Sequence, residues 1–587
     1  MNKAFKAIWS DVRQSFVTTS EIQSSHGKRS KASVSLSVAT VLLATSGLVS
    51  AAYVETGTLG DKASWETAEY NYNWGLGAMN ASSAYALGFY GQNTTTGVMD
   101  SGAWLGNPDL DTPRITATHV TGVYDSSGNR YPQSIYATIQ KGVVPTAAEG
   151  QPFTEGEEFD VKGDYTLGLN DAHGTQVTGV IGAERNGEYG HGVAFKANVV
   201  VGNTGATDNN NYGPFQDYNY YFKGYKALAD AVNAGNGEYR GGMVNNSYGT
   251  NTKIYSSGGH RLTPDEMSEL LAGSGNYDRA SAAYAVTFSG DYSFLGLNDV
   301  PGADQYSTNP SAFEWEYMYF KLKYGDKPSF LDGAYDAVKG TNVILSWAAG
   351  NQDRGTPYLK GLYPYFHPEA EKNWLNAVGV MQTRGDNDQY MQATYCKAGL
   401  AKWWSMSGPT AYPGIGTTYV TTDLENGRLT TTGFNGTSAS DPQISGAFTV
   451  LQSRYPSMTA IQVKDVMYTT ASHIGANGQP FTNWTAAEGT PDVIYGWGMP
   501  DLEKGMYGPG QFLDHFEYRL SEPLDVWSND ITEAGLQQRE KEDKAWMAAT
   551  KNGTEPDAGG EYTLGDDIVV LDGNLDFYDN AVSPEQG

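Results

Sequence analysis

Four short runs hold the residues best suited to chemistry. Gly97-Val98-Met99-Asp100-Ser101-Gly102 ends an apolar stretch on a carboxylate. His173-Gly174-Thr175-Gln176-Val177-Thr178-Gly179 sets an imidazole and small residues ahead of an apolar stripe. Ala348-Ala349-Gly350-Asn351 closes another apolar run on a side-chain amide. Asn435-Gly436-Thr437-Ser438-Ala439-Ser440-Asp441-Pro442 puts a hydroxyl at the head of a long apolar stretch. Asp, His and Ser are residue types of nucleophilic catalysis: a serine hydroxyl attacks poorly near neutral pH unless a base takes its proton. Histidine titrates where such a base must work, and a carboxylate can hold its tautomer. Each run also has an ordinary reading. Asp-Ser-Gly and Gly-Asn make turns, and a single histidine among eight is commonly structural. Ser438 or Ser440, with Pro442 in the first turn, suits a plain helix N-terminus. A serine there also meets the positive end of the helix dipole and free backbone N–H groups.

These residues need elements to hold them. Val98-Met99, Val199 to Val201, Met243-Val244 and Val343 to Leu345 are short apolar runs ending near Asp, Gly, Asn or Ser, the pattern of strands buried on both faces. After His173, Val177, Val180 and Ile181 recur at helical spacing, as do Ile444, Ala447, Phe448 and Leu451 after Ser438. Thr459 with Gln462 three residues on has capping-box spacing before Val463, Val466 and Met467. Strand–helix alternation predicts an α/β domain with a mostly parallel sheet flanked by helices. The Gly/Asn/Tyr-rich stretches 110–168 and 203–240 read as surface loops, and 250–335 as a mixed insertion.

The order Asp, then His, then Ser is that of subtilisin, and all four runs resemble the motifs of the subtilisin-like serine proteases (subtilases). Met243-Val244-Asn245-Asn246-Ser247-Tyr248-Gly249 resembles the family's substrate-binding strand. The resemblance covers about residues 68 to 505 and implies a subtilisin-like core. It implies Ser438 as nucleophile, His173 as general base and acid, Asp100 as orienting carboxylate and Asn351 as oxyanion donor beside the Ser438 backbone N–H. Ser247, Tyr248 and Gly249 would pair with an extended polypeptide substrate. The chain departs from the family after the histidine, at Gln176 and Thr178, and after the nucleophile, where Ala439-Ser440-Asp441-Pro442-Gln443 replaces the usual Met-Ala-Ala-Pro-His. Asp441 would raise the His173 pKa if it lay beside the ring. Two other readings stay open: an inactive adhesin or surface-binding module on the same fold, and a serine esterase. The esterase's nucleophile elbow needs a trailing Gly, where Ser440 stands. The chemistry requires no cofactor and no catalytic metal. Calcium is a plausible structural ion, although no EF-hand spacing places it.

Formal charge is −28, with 38 Lys+Arg against 66 Asp+Glu, which excludes a basic nucleic-acid binder. Cys396 is the one cysteine, so no intrachain disulfide exists, and its reading is a buried apolar filler. Residues 34 to 49 are apolar or small, preceded by Lys28, Arg29 and Lys31 and followed by Ser50, Ala51 and Ala52, the layout of a secretory signal cleaved near Ala51 or Ala52. The segment before it, with Met1 to Lys3, Ile8, Trp9, Ser20 and Glu21, resembles the extended signal region of Gram-negative autotransporters. The predicted domains are an extended signal peptide at 1–52, a peptidase domain at 53–510 and an acidic tail at 511–587. That tail holds 18 acids against five Lys/Arg. Asp525 to Ile531 resembles the junction with a β-helical stalk. The resemblance implies a secreted or cell-surface protein, a monomer. It also implies an outer-membrane translocator, whose series of amphipathic strands does not occur in this sequence.

Overall fold

The apolar runs that end beside polar residues lie next to one another in one sheet. The structure, a computed structural model, describes residues 57–129, 154–164, 172–204, 217–248, 328–351, 355–382, 395–410, 433–487 and 489–507, with the short strands Lys6–Ser10, Ser15–Thr19, Pro152–Phe153, Tyr390–Gln392, Val420–Asp423 and Arg428–Thr430. Gly249, most of the 250–335 insertion, the signal cleavage region, the boundary near Gly508 to Gly510 and the 511–587 tail lie outside the described residues. Met1–Val54 is a unit of its own, in which Lys6–Ser10 and Ser15–Thr19 pair as an antiparallel hairpin.

In the larger unit the sheet has eight strands: β1 (Thr95–Asp100), β2 (Ile115–Ala117), β3 (Asn198–Asn203), β4 (Gly242–Asn246), β5 (Val343–Ala348), β6 (Trp374–Gln382), β7 (Tyr390–Gln392) and β8 (Ser405–Pro409). Their order is β7-β6-β5-β4-β1-β3-β2, with β8 also paired to β6. Every ladder is parallel except β6 with β7. All residues of β1, β4 and β5 are buried, as expected of strands covered on both faces. The chain adds β2 and β3 on one side of β1 and then crosses to add β4, β5 and β6 on the other. Strand order therefore reverses at β1, and the crevice beyond the carboxyl ends of β1 and β4 is where such sheets bind ligands.

Alternation along β1 sets what faces each layer. Val98 belongs to a buried cluster with Val177, Val180, Ile181 and Ala439, from helices α1 (His173–Gly182) and α4 (Thr437–Arg454). Met99 points the other way, into the cluster with Tyr220, Tyr221, Tyr225 and Leu228 of α2 (Tyr218–Asn236), which packs beside α3 (Phe330–Asp336). Asp100, two residues beyond Val98, returns to the face that carries α1 and α4. Helix α4 is buried along nearly its whole length, so polar residues such as Gln443, Ser445 and Thr449 are buried beside the apolar stripe of Ile444, Ala447, Phe448 and Leu451. Helix α5 (Ala460–Thr469) starts with the predicted capping box: Gln462 N donates to Thr459 Oγ1 at 3.2 Å and Thr459 N to Gln462 Oε1 at 2.9 Å.

Three expectations change. The 110–168 stretch is not all loop, since β2 lies in it and His119–Val123 pairs antiparallel with Glu158–Lys162. The 203–240 stretch is not all loop, because α2 takes 19 of its residues. Its buried positions Tyr221, Gly224, Tyr225, Leu228 and Val232 have helical spacing, and Asp217 caps it by accepting from Tyr220 N at 2.9 Å. Tyrosine carries the apolar stripe there, so Asn/Tyr/Gly-rich composition concealed the period. Pro442 is the sixth residue of α4 and not in its first turn, since the helix begins at Thr437. Cys396 is buried with Ala349, Val378 and Ala398, as an apolar filler should be.

Candidate active site

Asp100 ends β1 with its side chain fully buried. Its Oδ1 accepts from Ser101 N at 2.7 Å and lies 2.9 Å from His173 Nδ1. With Nδ1–H donated to the carboxylate, Nε2 keeps its lone pair and is the basic nitrogen. His173 is the first residue of α1, and the helix start is tied to the end of β1 by Gly174 N donating to Ser101 Oγ at 3.0 Å. A side chain at position 174 would run into the Gly102 carbonyl, 2.1 Å from where its Cβ would sit. The imidazole meets the Phe434 ring nearly edge-on, centroids 5.3 Å apart.

Ser438 is the second residue of α4. Gly436 is the N-cap residue and no side chain caps the helix, so neither Ser438 nor Ser440 has the plain capping role. The Ser438 hydroxyl donates to the Ser247 carbonyl at 2.8 Å. Ser247 lies just past β4, whose ladder with β1 ends at Asn245 opposite Val98. Asn245 Nδ2 donates to Ser247 Oγ at 2.8 Å, and Ser445 Oγ of α4 donates to Asn245 Oδ1 at 3.1 Å. Tyr248 is buried, its hydroxyl 2.6 Å from that of Tyr225 and its ring against Trp347, so any contact with substrate is left to its backbone.

Asn351 follows the end of β5. Its Oδ1 accepts from both Thr437 N at 2.8 Å and Thr437 Oγ1 at 2.9 Å, while Gly350 N donates to Thr437 Oγ1 at 3.0 Å. With the carbonyl end anchored, the amide N–H groups are the donors left for a ligand. Gly436 has φ +85°, and a Cβ there would come within 2.9 Å of Asn351 Nδ2. The Gly-Thr-Ser triplet thus supplies room for the amide, the anchor that orients it and the hydroxyl. Sequence reasoning passed over Thr437 and Phe434, although Thr437 stands beside Ser438 in the motif.

Asp441 binds β4 and β5. It is wholly buried one turn after Ser438, and its Oδ2 accepts from Asn246 N at 3.2 Å while Oδ1 accepts from Ser346 Oγ. Burial pushes its carboxyl up to about 7. Hydrogen bonds from Ser346, Asn246 and Ser247 oppose that rise, and the Asp100 charge adds to it. Among the described residues, no group of three His, Cys, Asp or Glu side chains is placed to hold a metal ion.

Residues 91–498 match the family model described as the Subtilase family, and residues 1–50 match that of the Extended Signal Peptide of Type V secretion system. The chain is 32% identical over 195 residues to Serotype-specific antigen 1 of Mannheimia haemolytica, covering 33% of this chain and 19% of that protein. It is 25% identical over 482 residues to an Extracellular serine protease of Serratia marcescens, covering 79% of this chain and 36% of the relative. With Neisserial autotransporter lipoprotein NalP of Neisseria meningitidis serogroup B it shares 23% identity over 261 residues, 42% of this chain and 21% of that one. The chain thus spans between 19% and 36% of the length of these relatives.

Proposed function

This chain belongs to the subtilase family, and from that premise we propose that it is an exported serine endopeptidase acting through Asp100, His173 and Ser438. The observation that carries the reading is the buried Asp100 carboxylate on His173 Nδ1, which leaves Nε2 as the base on the face where the Ser438 helix begins. Export follows from the type V signal at residues 1–50, and places the protein outside the cytoplasm of a Gram-negative cell. The domain plan is part of the proposal: signal to residue 52, peptidase to about 510, acidic tail beyond.

An extended polypeptide would add its backbone to Ser247–Gly249 beyond the end of β4. Its N–H groups need carbonyl acceptors there, and the Ser247 carbonyl is held by the Ser438 hydroxyl in the free protein. Substrate binding would therefore displace the hydroxyl, which turns to His173 Nε2 and gives up its proton as Oγ attacks the scissile carbonyl. The imidazolium formed faces the Asp100 charge. The tetrahedral oxyanion would be met by Asn351 Nδ2–H and the Ser438 backbone N–H. His173 then protonates the leaving amine, and water, activated by the same nitrogen, hydrolyses the acyl-enzyme. No step calls on a cofactor. Every group comes from one chain, so the site is complete in a monomer.

The test is labelling of the chain with a fluorophosphonate beside assays on casein and on short-chain esters, with Ser438→Ala as control. Labelling and casein cleavage that both disappear in Ser438→Ala support the peptidase. Well-folded protein that does neither overturns it in favour of a binding module, and ester turnover without peptide turnover makes it an esterase.

A further inference from the structure

We propose that Asp441 is a positioning residue, whose carboxylate holds the end of β4 and, through Ser247, the Ser438 hydroxyl in register with an extended peptide. The inference rests on the peptidase reading above. One buried side chain on the nucleophile's own helix binds two neighbouring strands: Asn246 N at the end of β4 at 3.2 Å, Ser346 Oγ within β5, and the Ser247 side chain just past β4. The β4–β1 ladder stops at Asn245, while Asn246 still pairs with Trp347 of β5, and the Asn246 N–H is taken by the Asp441 side chain. The next residue, Ser247, carries the carbonyl that receives the Ser438 hydroxyl at 2.8 Å. Asp441 and Ser438 thus grip neighbouring residues of the strand on which substrate would lie. Without that carboxylate the buried Asn246 N–H has no acceptor, and the strand end loses its fixed distance from the nucleophile.

All three partners of Asp441 have a proton to give, so the anion is the form that fits. Protonation would set an O–H among donors and force a serine hydroxyl to turn. The titratable groups whose charge acts on Asp441 or feels it are Asp100 on β1 and Tyr225 on α2; β4, β5, β6 and β8 carry none. Asp100 opposes ionisation of Asp441, and burial keeps the Tyr225 hydroxyl neutral. Burial places the Asp441 titration near neutrality, so the grip on the strand changes with pH there.

The experiment measures binding, which needs no turnover. Fluorescein-labelled, dephosphorylated β-casein is titrated into the Ser438→Ala chain at about pH 8 and about pH 6. A two-unit fall across a pKa of about 7 leaves roughly a tenth of the carboxylate ionised, so affinity should weaken about tenfold. In Ser438→Ala/Asp441→Asn the pH dependence should vanish. Asp441→Ser, which retains an acceptor for Asn246 N–H, serves in the same comparison if the amide variant does not fold. Equal affinity of Ser438→Ala at the two pH values overturns the proposal, and so does a tenfold change that persists in the double variant. A purely structural Asp441 would lower stability without moving this ratio. Fluorophosphonate labelling of the native chain separates the two readings. Labelling together with a pH-insensitive affinity removes only the Asp441 proposal, whereas absence of labelling removes the peptidase and the proposal with it.

Discussion

Asn351 is oriented before any substrate arrives. Both donors of Thr437 converge on its Oδ1, so the amide cannot flip without leaving two hydrogen bonds unmade, and its N–H groups are presented at no rotational cost during reaction. Asn351→Ala should lower kcat by about 10²–10³, the loss expected for one oxyanion donor, with little effect on KM. Steady-state kinetics on a fluorogenic peptide checks this; an equal loss in KM and none in kcat would make Asn351 a ground-state contact. Thr437→Val removes only one of the two anchors, so a smaller fall in kcat of about tenfold should follow in the same assay. Asp100 Oδ2 is buried with no hydrogen-bond partner among the described residues, so the carboxylate's bonds all run through Oδ1 to Ser101 and His173.

At the scale of elements, the site is made by three junctions between strand ends and helix starts. Ser101 joins β1 to α1, Thr437 joins β5 to α4 through Asn351, and Asp441 joins α4 to the end of β4 and to Ser346 within β5. Gly436, at the β5–α4 junction, has positive φ and the Asn351 amide where a Cβ would go. Gly436→Ala should cost of order 1–3 kcal/mol in backbone strain, read as a lower midpoint in chemical denaturation. It should also slow fluorophosphonate labelling, because the new methyl pushes the amide off its place. A variant with unchanged labelling rate would show that Asn351 has room to spare. The parallel strands and the helix heads bearing His173 and Ser438 were legible from short apolar runs and turn residues. Helix α2 was not, since Tyr and Gly occupy the stripe that Leu or Val would mark.

Across the whole molecule, two buried groups give pH dependence of opposite sign. His191 is fully buried, and burial lowers its pKa to about 4 against an unfolded value near 6.5. The unfolded chain binds more protons between those values, so this histidine's contribution to stability is present above about pH 6.5 and is lost as pH falls toward 4. Asp441 behaves in reverse: its folded pKa of about 7 lies above the unfolded value of 3.8. The folded protein binds the extra proton between them, so the cost of the buried charge grows as pH rises from about 4 to about 7. The two slopes offset each other in the native chain. Relative to the native chain, His191→Phe should make stability fall more steeply as pH rises through that window, and Asp441→Asn should make it fall less or rise. Thermal melts from about pH 4.5 to about pH 7.5 read the slopes, and parallel curves for all three proteins would contradict this account. The net charge of −28 adds solubility and repulsion from anionic surfaces without bearing on either effect.

By itself the sequence determined what depends on neighbours a few residues apart: strands ending at Asp100 and Asn351, helices opening at His173 and Ser438, the capping box at Thr459, the export signal and the family motifs in their order. These are readable because hydrophobic period and turn chemistry are local. Only the tertiary structure decided which strand lies beside which, and hence that the Ser438 hydroxyl rests on the Ser247 carbonyl, 191 residues away in the chain, and that Asp441 binds Asn246, 195 residues away. Those pairings follow from the crossover of the chain about β1. No local pattern encodes that crossover, because it is settled by burying both faces of one shared sheet.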